Sequence, residues 1–452
     1  MNNETKLSPL SERVADSANP PNGMGFRTDV QGWDRRTLER FQLERLNRLL
    51  ERVLRENAFY RSRYQCNSMQ LSSLDGLKQL PLMTKADMIS DADSGIALHH
   101  SYAPEAYRRY HRTSGTRGRP MVILDTDEDW AWWVATWQYV LDACEITASD
   151  RVLMAFSFGP FIGFWSAHDA CLYRRCMVIP SGGMSTAARI DLIHASQPTV
   201  IFSTPSYAIH LGQEAESRGK SLRHSSVRCV FVAGEPGGSV PSVRSAIESL
   251  FGASVMDHAG ATEIGPWGFS SASGDALHVI ESEFLAEYVP VQPSSRMQAP
   301  EHLPTASGET DLLELVLTSL GRTGAPVIRY RTGDMVHPDF REVAGESNFV
   351  RLRGGVVGRV DDMLVVRGVN VFPSSIESIV REFPEVGEYR LIVQKSGALD
   401  ELKLEVEDRQ HSPDRIAEKL LLMLQLRIEV VDLPEGSLPR SEGKSRRVLD
   451  RR

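Results

Sequence analysis

The chain has 452 residues, about three times the length of a typical domain, so we expect more than one core. Hydrophobic residues make up 41% and charged residues 24%, close to the averages of globular chains, which excludes disordered and fibrous classes. The 51 Lys and Arg against 59 Asp and Glu give a net charge of −8, which argues against nucleic acid as a partner.

The cysteines and the apolar runs bear on the compartment. Five cysteines, an odd number without CxxC spacing, indicate neither a disulfide framework nor a zinc knuckle. No apolar run reaches the roughly 18 to 20 residues of a membrane helix, and the first residues lack the pattern of a secretory signal. We therefore expect a cytoplasmic protein with no membrane partner, present as a monomer or a homodimer.

The N-terminal part is predicted to begin with a tail. Residues 1–30 are polar and rich in Pro and Gly, which predicts a flexible segment. Asp34 is then predicted to cap a long amphipathic helix. The apolar residues of this helix are Leu38, Phe41, Leu46, Leu49, Leu50 and Val53. Further on, the four tryptophans at 130–137 indicate a helix that packs aromatic side chains against a sheet, rather than a platform for stacking bases.

Beyond residue 110 short β-prone runs alternate with helical stretches, which is typical of an α/β domain with helices over a largely parallel sheet. The clearest strand predictions are 152–156, 200–202, 230–232 and 254–256. Ligands of such sheets bind at the carboxyl ends of the strands. The loops that follow these four runs are therefore predicted to line one cleft.

A second, smaller unit is predicted after Gly358. Residues 290–311 indicate a surface loop before the strand that begins at Leu313. Past the junction, strands at 388–393 and 401–406, a helix at 413–426 and a strand at 428–431 predict a compact α+β lid. The predicted organisation is a flexible tail (1–30), a large α/β nucleotide-binding domain (31–358) and a small mobile lid (359–452).

A segment rich in hydroxyls, glycines and guanidinium groups follows the β-prone run at 110–112. Glycines let backbone N–H groups approach an anion, hydroxyls add donors, and arginines neutralise negative oxygens. The segment therefore predicts a phosphate-binding loop, although an ordinary Ser/Gly turn is the alternative. Its residues are Thr113, Ser114, Gly115, Thr116, Arg117, Gly118 and Arg119.

Two carboxylates stand out further along the chain. Glu263 follows Thr262 between two glycines, where a hard oxygen ligand could hold Mg²⁺ against phosphate oxygens; the alternative is a helix cap. Asp334 ends the run Tyr-Arg-Thr-Gly-Asp and could accept hydrogen bonds from two ribose hydroxyls; the alternative is an Asp in a β-turn. Arg359 and Asp361 mark the predicted junction. Lys444 lies in a basic segment, for which the alternative interpretation is solvated surface charge without a function.

These segments, in this order, resemble the adenylate-forming (acyl-CoA synthetase) superfamily and within it the phenylacetate–CoA ligase group, from about residue 35 to 450. The resemblance implies ATP, Mg²⁺ and two reaction steps, in which a small carboxylic acid is converted to an acyl-adenylate and then passed to CoA. It also implies a role for individual residues. Lys444 would be the catalytic lysine with Thr262 in the catalytic set, Glu263 the magnesium ligand, Asp334 the ribose anchor, Arg359 a phosphate or ribose contact, and Asp361 the hinge.

The match to the family has departures. Where many members carry a tyrosine before the acidic motif, this chain has His258 and Ala259, so adenine would stack on His258 or rely on the loop of Gly234, Glu235 and Pro236. Where the family usually has Thr and Lys in the phosphate loop, this chain has two arginines. Only His278 remains of a cysteine-rich zinc site found in some relatives, so we predict no structural zinc.

The acyl pocket is predicted from aromatic residues that follow a strand. Phe158, Phe161 and Trp165, with Gly182 in a second open turn, suit a flat aromatic or small cyclic acid; the alternative is that they fill the core. The leading functional hypothesis is an aryl or arylacetic acid–CoA ligase. A rival keeps the adenylation but transfers the acyl group to an amine, as in coronafacate ligase, or to a carrier-protein thiol. A third is a nucleotide-binding protein without catalysis.

Overall fold

The computed structural model describes residues 23–90, 94–113, 120–156, 159–290, 312–366, 369–396, 399–424, 426–440 and 447–452. The N-terminal elements are α1 (Met24–Gln31), α2 (Arg35–Glu56), α3 (Ala58–Tyr64), α4 (Lys85–Met88), β1 (Arg109–Arg112), β2 (Val122–Asp125) and α5 (Asp127–Ala143). Asp34 caps α2 as predicted, because its side chain accepts a hydrogen bond from the Thr37 N–H at 2.8 Å.

The tail predicted for residues 1–30 includes residues that form a helix in the structure. Residues 24–31 form a helix in which Val30 is fully buried, and the Arg27 guanidinium pairs with the Asp142 carboxylate at the end of α5. This helix escaped prediction because glycines flank it and its apolar residues are few, so tertiary contacts rather than local propensity fix it. Residues 1–22 lie outside the described part.

The parallel half of the large sheet alternates strands and helices. Its elements are β3 (Arg151–Met154), α6 (Ile162–Tyr173), β4 (Met177–Pro180), α7 (Thr186–Ser196), β5 (Val200–Ser203), α8 (Pro205–Ser217), β6 (Cys229–Ala233), α9 (Pro241–Phe251) and β7 (Ser254–Ala261). The four strand predictions are confirmed, with β3, β5, β6 and β7 paired in parallel and β4 at the edge.

The antiparallel half completes one sheet of eleven strands. It contains β8 (Gly265–Ser270), β9 (Ala276–Val279), β10 (Phe284–Val289), β11 (Leu313–Ser319), β12 (Tyr330–Asp339) and β13 (Arg351–Arg359). The strand order is β10-β11-β12-β13-β9-β8-β7-β6-β5-β3-β4. Helix α5 buries its tryptophans against this sheet as predicted, with the Trp137 ring centroid 6.0 Å from that of Phe231. We call the part up to β13 the large lobe.

A short 3₁₀ turn (Val360–Asp362) leads into the C-terminal lobe, which has its own core. Its elements are β14 (Leu364–Val366), β15 (Val369–Val371), α10 (Pro373–Val380), β16 (Val386–Ser396), β17 (Leu399–Asp408), α11 (Pro413–Leu424), β18 (Glu429–Asp432) and β19 (Val448–Asp450). The sheet order is β18-β17-β16-β19. The predicted fold class, a large α/β domain with a small α+β unit, is confirmed; the boundary at residue 359 stays a prediction.

No helix in the described ranges is long and apolar enough to cross a lipid bilayer.

Candidate active site

The phosphate loop lies between β1 and β2, which pair antiparallel. Of its predicted residues, only Thr113 is described. The Thr113 N–H donates to the Met121 carbonyl at 2.9 Å, and the Met121 N–H donates to Thr113 Oγ1 at 3.0 Å. These two bonds close the base of the loop. Ser114, Gly115, Thr116, Arg117, Gly118 and Arg119 lie outside the described residues.

The acidic motif forms the turn between β7 and β8. Glu263 is 8% exposed, and its Oε1 lies 3.4 Å from Nζ of Lys85 at the start of α4. We did not single out Lys85 from the sequence. The capping box of Thr84 and Asp87 marks the start of its helix, but nothing in the local pattern indicates a partner almost two hundred residues away.

Two glycines allow a tryptophan to pack directly against this turn. Gly265 has φ +131°, and a Cβ there would lie 2.7 Å from the Trp132 ring. A Cβ on Gly321 would lie 2.2 Å from the same ring. The Trp132 indole is held in place because its Nε1 donates to Glu283 Oε2 at 2.7 Å. Both positions therefore require glycine, at Gly265 for backbone strain as well as for space.

The ribose motif and the junction meet where β12 pairs with β13, since Asp334 lies opposite Arg359 in the register. Arg359 Nη1 donates to Asp334 Oδ1 at 2.8 Å, and Nη2 donates to the Thr332 carbonyl at 3.1 Å. Asp361 Oδ2 lies 3.9 Å from Arg359. Burial first, and then the charges of Asp361 and Glu263, raise the pKa of Asp334 to about 6 against the lowering effect of Arg359.

The loop after β6 carries Gly234, Glu235 and Pro236. Gly234 and Pro236 are exposed, and Glu235 Oε1 accepts hydrogen bonds from the N–H of Ser206, at 2.8 Å, and from its hydroxyl. Burial, and then the charge of Glu377, raises the pKa of Glu235. The loops after β5 and β6 are thus joined, as expected for neighbouring parallel strands.

His258 does not fit its predicted role as a platform for adenine. Its side chain points into the aromatic core, where its ring centroid is 4.2 Å from that of Trp137 and its Nδ1 is 2.7 Å from the Gly268 carbonyl. It is only 7% exposed, and burial lowers its pKa to about 4. His258 is a core residue because its side of β7 packs on Trp137. The alternative, in which adenine rests on the loop of Gly234 and Glu235, stays a prediction.

The chain beside the predicted catalytic lysine reaches the large lobe. Lys444 itself lies outside the described residues. Arg447, three residues further, lies with its Nη1 3.2 Å from Ser206 Oγ, and it pairs with Glu377 at 3.0 Å and Glu388 at 2.5 Å. Ser206 is the residue that holds Glu235, so the end of the C-terminal lobe lies against the candidate nucleotide loops.

The predicted acyl-pocket residues follow β3 and β4, which are neighbours. Phe161 caps α6 and is 38% exposed. The Trp165 Nε1 donates to the Gly159 carbonyl at 3.0 Å. Gly182 is exposed in the turn after β4, while Phe158 lies outside the described residues. The aromatic groups thus lie at the same sheet edge as the other loops.

His278 uses both ring nitrogens within the protein. Its Nε2 lies 2.8 Å from Glu346 Oε2 and its Nδ1 lies 3.0 Å from the Phe349 carbonyl, and the ring stacks on Phe269. Among the described residues, no group of three or more His, Cys, Asp or Glu is arranged to hold a metal ion. His278 has a structural role.

Comparisons with known proteins identify the family. A model of the AMP-binding enzymes matches residues 109–283, and a model of the AMP-binding enzyme C-terminal domain matches residues 368–452. The phenylacetate-coenzyme A ligase of Thermus thermophilus is 30% identical over 95% of this chain and 100% of the relative. That of Pseudomonas putida is 31% identical, over 92% and 94%. The chain belongs to the AMP-binding enzyme family. The predicted resemblance and the predicted class, an ATP-dependent, AMP-forming ligase, are confirmed.

Solved structures of one CoA ligase match the chain over its full length. 2-Hydroxyisobutyryl-CoA ligase in the postadenylation state, in complex with 2-HIB-AMP, matches with TM-score 0.84 and 25% identity. The same ligase in complex with 2-HIB-AMP and CoA, in the thioesterification state, matches with TM-score 0.68 and 26% identity. Each comparison covers 100% of this chain and 95% of the other. The whole chain therefore matches the postadenylation-state structure more closely than the thioesterification-state structure.

Proposed function

We propose that this AMP-binding enzyme is an acid–CoA ligase that activates an aryl or arylacetic acid through an acyl-adenylate. The observation that carries the proposal is the cluster in which Arg359 binds Asp334 beside Glu263 and Asp361. These four residues come from three separate sequence motifs and interact with one another. The phenylacetate-coenzyme A ligases that resemble the chain over most of its length support the choice of acid and acceptor.

ATP would lie across the carboxyl ends of the strands. Asp334 would accept hydrogen bonds from the ribose hydroxyls, and Arg359 would contact ribose or phosphate. Adenine would rest on the backbone of Gly234 to Pro236, which is exposed on the loop after β6. The phosphates would lie against the loop that begins at Thr113, where Arg117 and Arg119 add positive charge.

The residues around Glu263 fit Mg²⁺. Carboxylate and hydroxyl oxygens are the ligands that Mg²⁺ prefers, and it is commonly held by one or two carboxylates together with substrate phosphates rather than by a full protein cage. Glu263, with Thr262 beside it, provides such a partial set, and the ammonium of Lys85 at 3.4 Å marks a position suited to a cation. When bound, the ion would neutralise charge on the phosphate oxygens.

The first step needs alignment rather than a protein nucleophile. The substrate carboxylate attacks the α-phosphorus of ATP, the acyl-adenylate forms and pyrophosphate leaves. The protein must hold two anions together and stabilise the charge that spreads over the phosphoryl oxygens. Lys444, carried by the segment next to Arg447, is proposed to supply an ammonium group to this charge, and Arg117 and Arg119 add to the positive field.

The second step would follow a rotation of the C-terminal lobe, the proposed lid of residues 359–452. Asp361 lies in the 3₁₀ turn that joins the lobes and is the proposed hinge. Rotation would withdraw Lys444 and admit the CoA thiol, which attacks the acyl carbonyl and releases AMP. The unequal similarity to two states of one relative is what such a rotation would produce.

The acid is proposed to lie against the loops after β3 and β4. Phe161 is partly exposed at the start of α6, and the Trp165 ring is fixed by its bond to Gly159. With Phe158 and the open turn at Gly182, these aromatic groups suit offset stacking on a flat ring. An aryl or arylacetic acid satisfies this surface better than a long alkyl chain.

The test is pyrophosphate release with a panel of aryl, arylacetic and short aliphatic acids, each offered with CoA, free amines and a carrier-protein thiol together. We expect release with aromatic acids and the CoA thioester as the product identified by mass spectrometry. An amide or a carrier thioester as the main product would replace the proposed acceptor. Absence of pyrophosphate release with every acid would overturn the proposed function.

A further inference from the structure

Arg322, in the connection between β11 and β12, is a fully buried arginine that none of the motifs above includes. Its side chain is 0% exposed. A buried guanidinium is costly unless its charge and its hydrogen-bonding groups are satisfied. The partners of Arg322 therefore indicate what the residue is for.

One side of the guanidinium holds the hairpin that carries the phosphate loop. Arg322 Nε donates to Asp125 Oδ1 at 2.8 Å, and Nη2 lies 2.7 Å from the same oxygen. Asp125 is the last residue of β2 and is also fully buried. His111 of β1 faces the second oxygen of Asp125 at 3.7 Å. Both strands that flank the phosphate loop therefore meet this ion pair.

The other side of the guanidinium holds the acidic motif. Arg322 Nη1 donates to the Thr262 carbonyl at 2.9 Å and to the Glu263 carbonyl at 3.0 Å. Two consecutive carbonyls that share one donor fix the orientation of the peptide between them. That peptide joins Thr262 to Glu263, whose carboxylate is the proposed magnesium ligand.

The arginine is itself held firmly. Its Cζ lies 5.4 Å from the centroid of the Trp133 ring in α5, which favours the cation. The next two residues, Thr323 and Gly324, donate their N–H groups to Asp129 Oδ1 at 2.8 and 3.0 Å. Helix α5, the hairpin and the acidic turn are thus joined around one side chain.

We propose that Arg322 is the positioning residue that sets the place of the acidic turn carrying Glu263 relative to the β1–β2 hairpin from which the phosphate loop extends. The inference rests on the proposed function, because it assigns Glu263 to the metal and the loop to the phosphates. Groups that orient metal ligands through hydrogen bonds typically change metal affinity or activity by about 10- to 100-fold when they are replaced. The planar fork suits this task, since it holds a carboxylate and two carbonyls in fixed directions, whereas the compact ammonium of a lysine does not reproduce this geometry.

The experiment compares Arg322→Lys with the wild type by calorimetric titration of ATP, with Mg²⁺ and with EDTA. We expect the gain in ATP affinity that Mg²⁺ provides to fall about tenfold or more, while affinity in EDTA changes less than about twofold. The Mg²⁺ concentration for half-maximal pyrophosphate release should rise by a similar factor. An unchanged gain from Mg²⁺ would overturn the inference.

Arg174→Lys is the matched control. Arg174 pairs with the Asp142 carboxylate at 2.6 Å and donates to the carbonyls of Ile146 and Gln138, so it loses the same kinds of bond at the other end of α5. It should lower the melting temperature without altering the response to Mg²⁺. An equal loss of Mg²⁺ response in this variant would mean that general destabilisation is the cause, and the inference would fall.

Asp125→Asn provides a second variant should Arg322→Lys not fold, because it keeps the size of the side chain and removes its charge. We expect a smaller loss of Mg²⁺ response in the same direction, and no change would count against the inference. Failure of the proposed function would look different. A wild-type protein that binds Mg²⁺–ATP but releases no pyrophosphate with any acid would lose the proposed reaction, and the comparison of affinities would still decide the role of Arg322.

Discussion

Contacts inside the large lobe and contacts between the two lobes are of different kinds. Inside the large lobe, ion pairs with a buried carboxylate join distant segments of chain, as Arg322 does with Asp125 and Arg45 with Glu283. Breaking such a pair by removing one partner typically costs about 3 to 5 kcal/mol. These contacts make the large lobe a rigid platform.

The contacts described between the lobes include single hydrogen bonds from small side chains. The Ser242 hydroxyl donates to the Ser378 carbonyl at 2.9 Å, and the Ser374 hydroxyl donates to the Val357 carbonyl at 2.5 Å. A typical bond of this kind contributes about 0.5 to 1.5 kcal/mol. Bonds of this kind are weaker than the ion pairs inside the large lobe, which supports the proposed rotation of the C-terminal lobe.

The largest effect is expected from replacing Lys444, the lysine that the C-terminal lobe is proposed to bring to the nucleotide. Lys444→Ala should lower the rate of adenylation by about a hundredfold or more, since one charge-stabilising donor is typically worth about 3 to 4 kcal/mol. Capture of a preformed adenylate by CoA should stay nearly unchanged. Pyrophosphate exchange and single-turnover thioester formation measure the two steps. Lys419→Ala, which removes a lysine paired with Glu382 on the same lobe, is the control, and normal exchange in the Lys444 variant would disprove its assignment.

The next change addresses the joint between the lobes. Asp361→Pro should lower thioester formation more than adenylation, about tenfold or more in their ratio, because a fixed φ at the hinge hinders the rotation that only the second step requires. Single-turnover assays of each step give the ratio. Asp361→Ala removes the carboxylate but leaves the backbone free, so it should keep the ratio near that of the wild type. Equal losses in both steps for the proline variant would rule out a hinge at this residue.

A third expectation concerns the pH dependence of ATP binding by the large lobe. Asp334 has a pKa of about 6 in the fold, above the ordinary value for Asp, so it becomes protonated as pH falls through 6. The dissociation constant for ATP should then rise, by up to about tenfold for each pH unit below the pKa if only the carboxylate form binds ribose. Titrations between pH 5 and 8 would measure this.

Asp334→Asn is the reference for this pH dependence. It should bind ATP more weakly at pH 8, and its affinity should lack the step near pH 6. The same raised pKa means that the folded state retains a proton that the unfolded state has lost between about pH 4 and 6, so the contribution of Asp334 to the free energy of unfolding decreases as pH rises through this window. The wild-type step persisting in the Asn variant would assign the titration to another group.

The smallest effect is expected from loosening the contact between the lobes. Ser242→Ala removes one of the hydrogen bonds described above and should raise the rate of thioester formation from preformed adenylate by about two- to fivefold, as expected for a bond worth near 1 kcal/mol. Ser217→Ala removes a hydroxyl that bonds within α8 and should change neither step. A slower second step in the Ser242 variant would indicate that the contact assists the rotation rather than restraining it.

The sequence predicted features that depend on local pattern. The four parallel strands follow from short β-branched runs, and the cap of α2 follows from Asp34. The convergence of Asp334 and Arg359 follows from motifs whose order is characteristic of the family. The first two signals lie within a few residues of the features that they predict, and the third comes from the resemblance to the family.

The features that the sequence did not predict depend on partners far along the chain. Lys85 meets Glu263, Arg322 meets Asp125, and Arg447 meets Ser206, each across more than 150 residues of sequence. Lysines and arginines are common on surfaces, so their type alone does not predict burial. The prediction that adenine stacks on His258 differs from the structure for a related reason, because the packing of Trp137 decides which side of β7 the histidine occupies.

The contact of Trp132 with Gly265 and Gly321 limits the order in which amino-acid substitutions can accumulate at these positions. A methyl group at Gly321 would overlap only the indole, so a larger residue there becomes tolerable once position 132 has been reduced, whereas the positive φ of Gly265 and the nearby Phe284 ring still exclude one at that position. Laboratory evolution that mutates single sites in turn would reject a larger residue at 321, and only a library that pairs it with position 132 would reach it. The same dependency would leave a correlated pattern at 132 and 321 in the natural history of such chains.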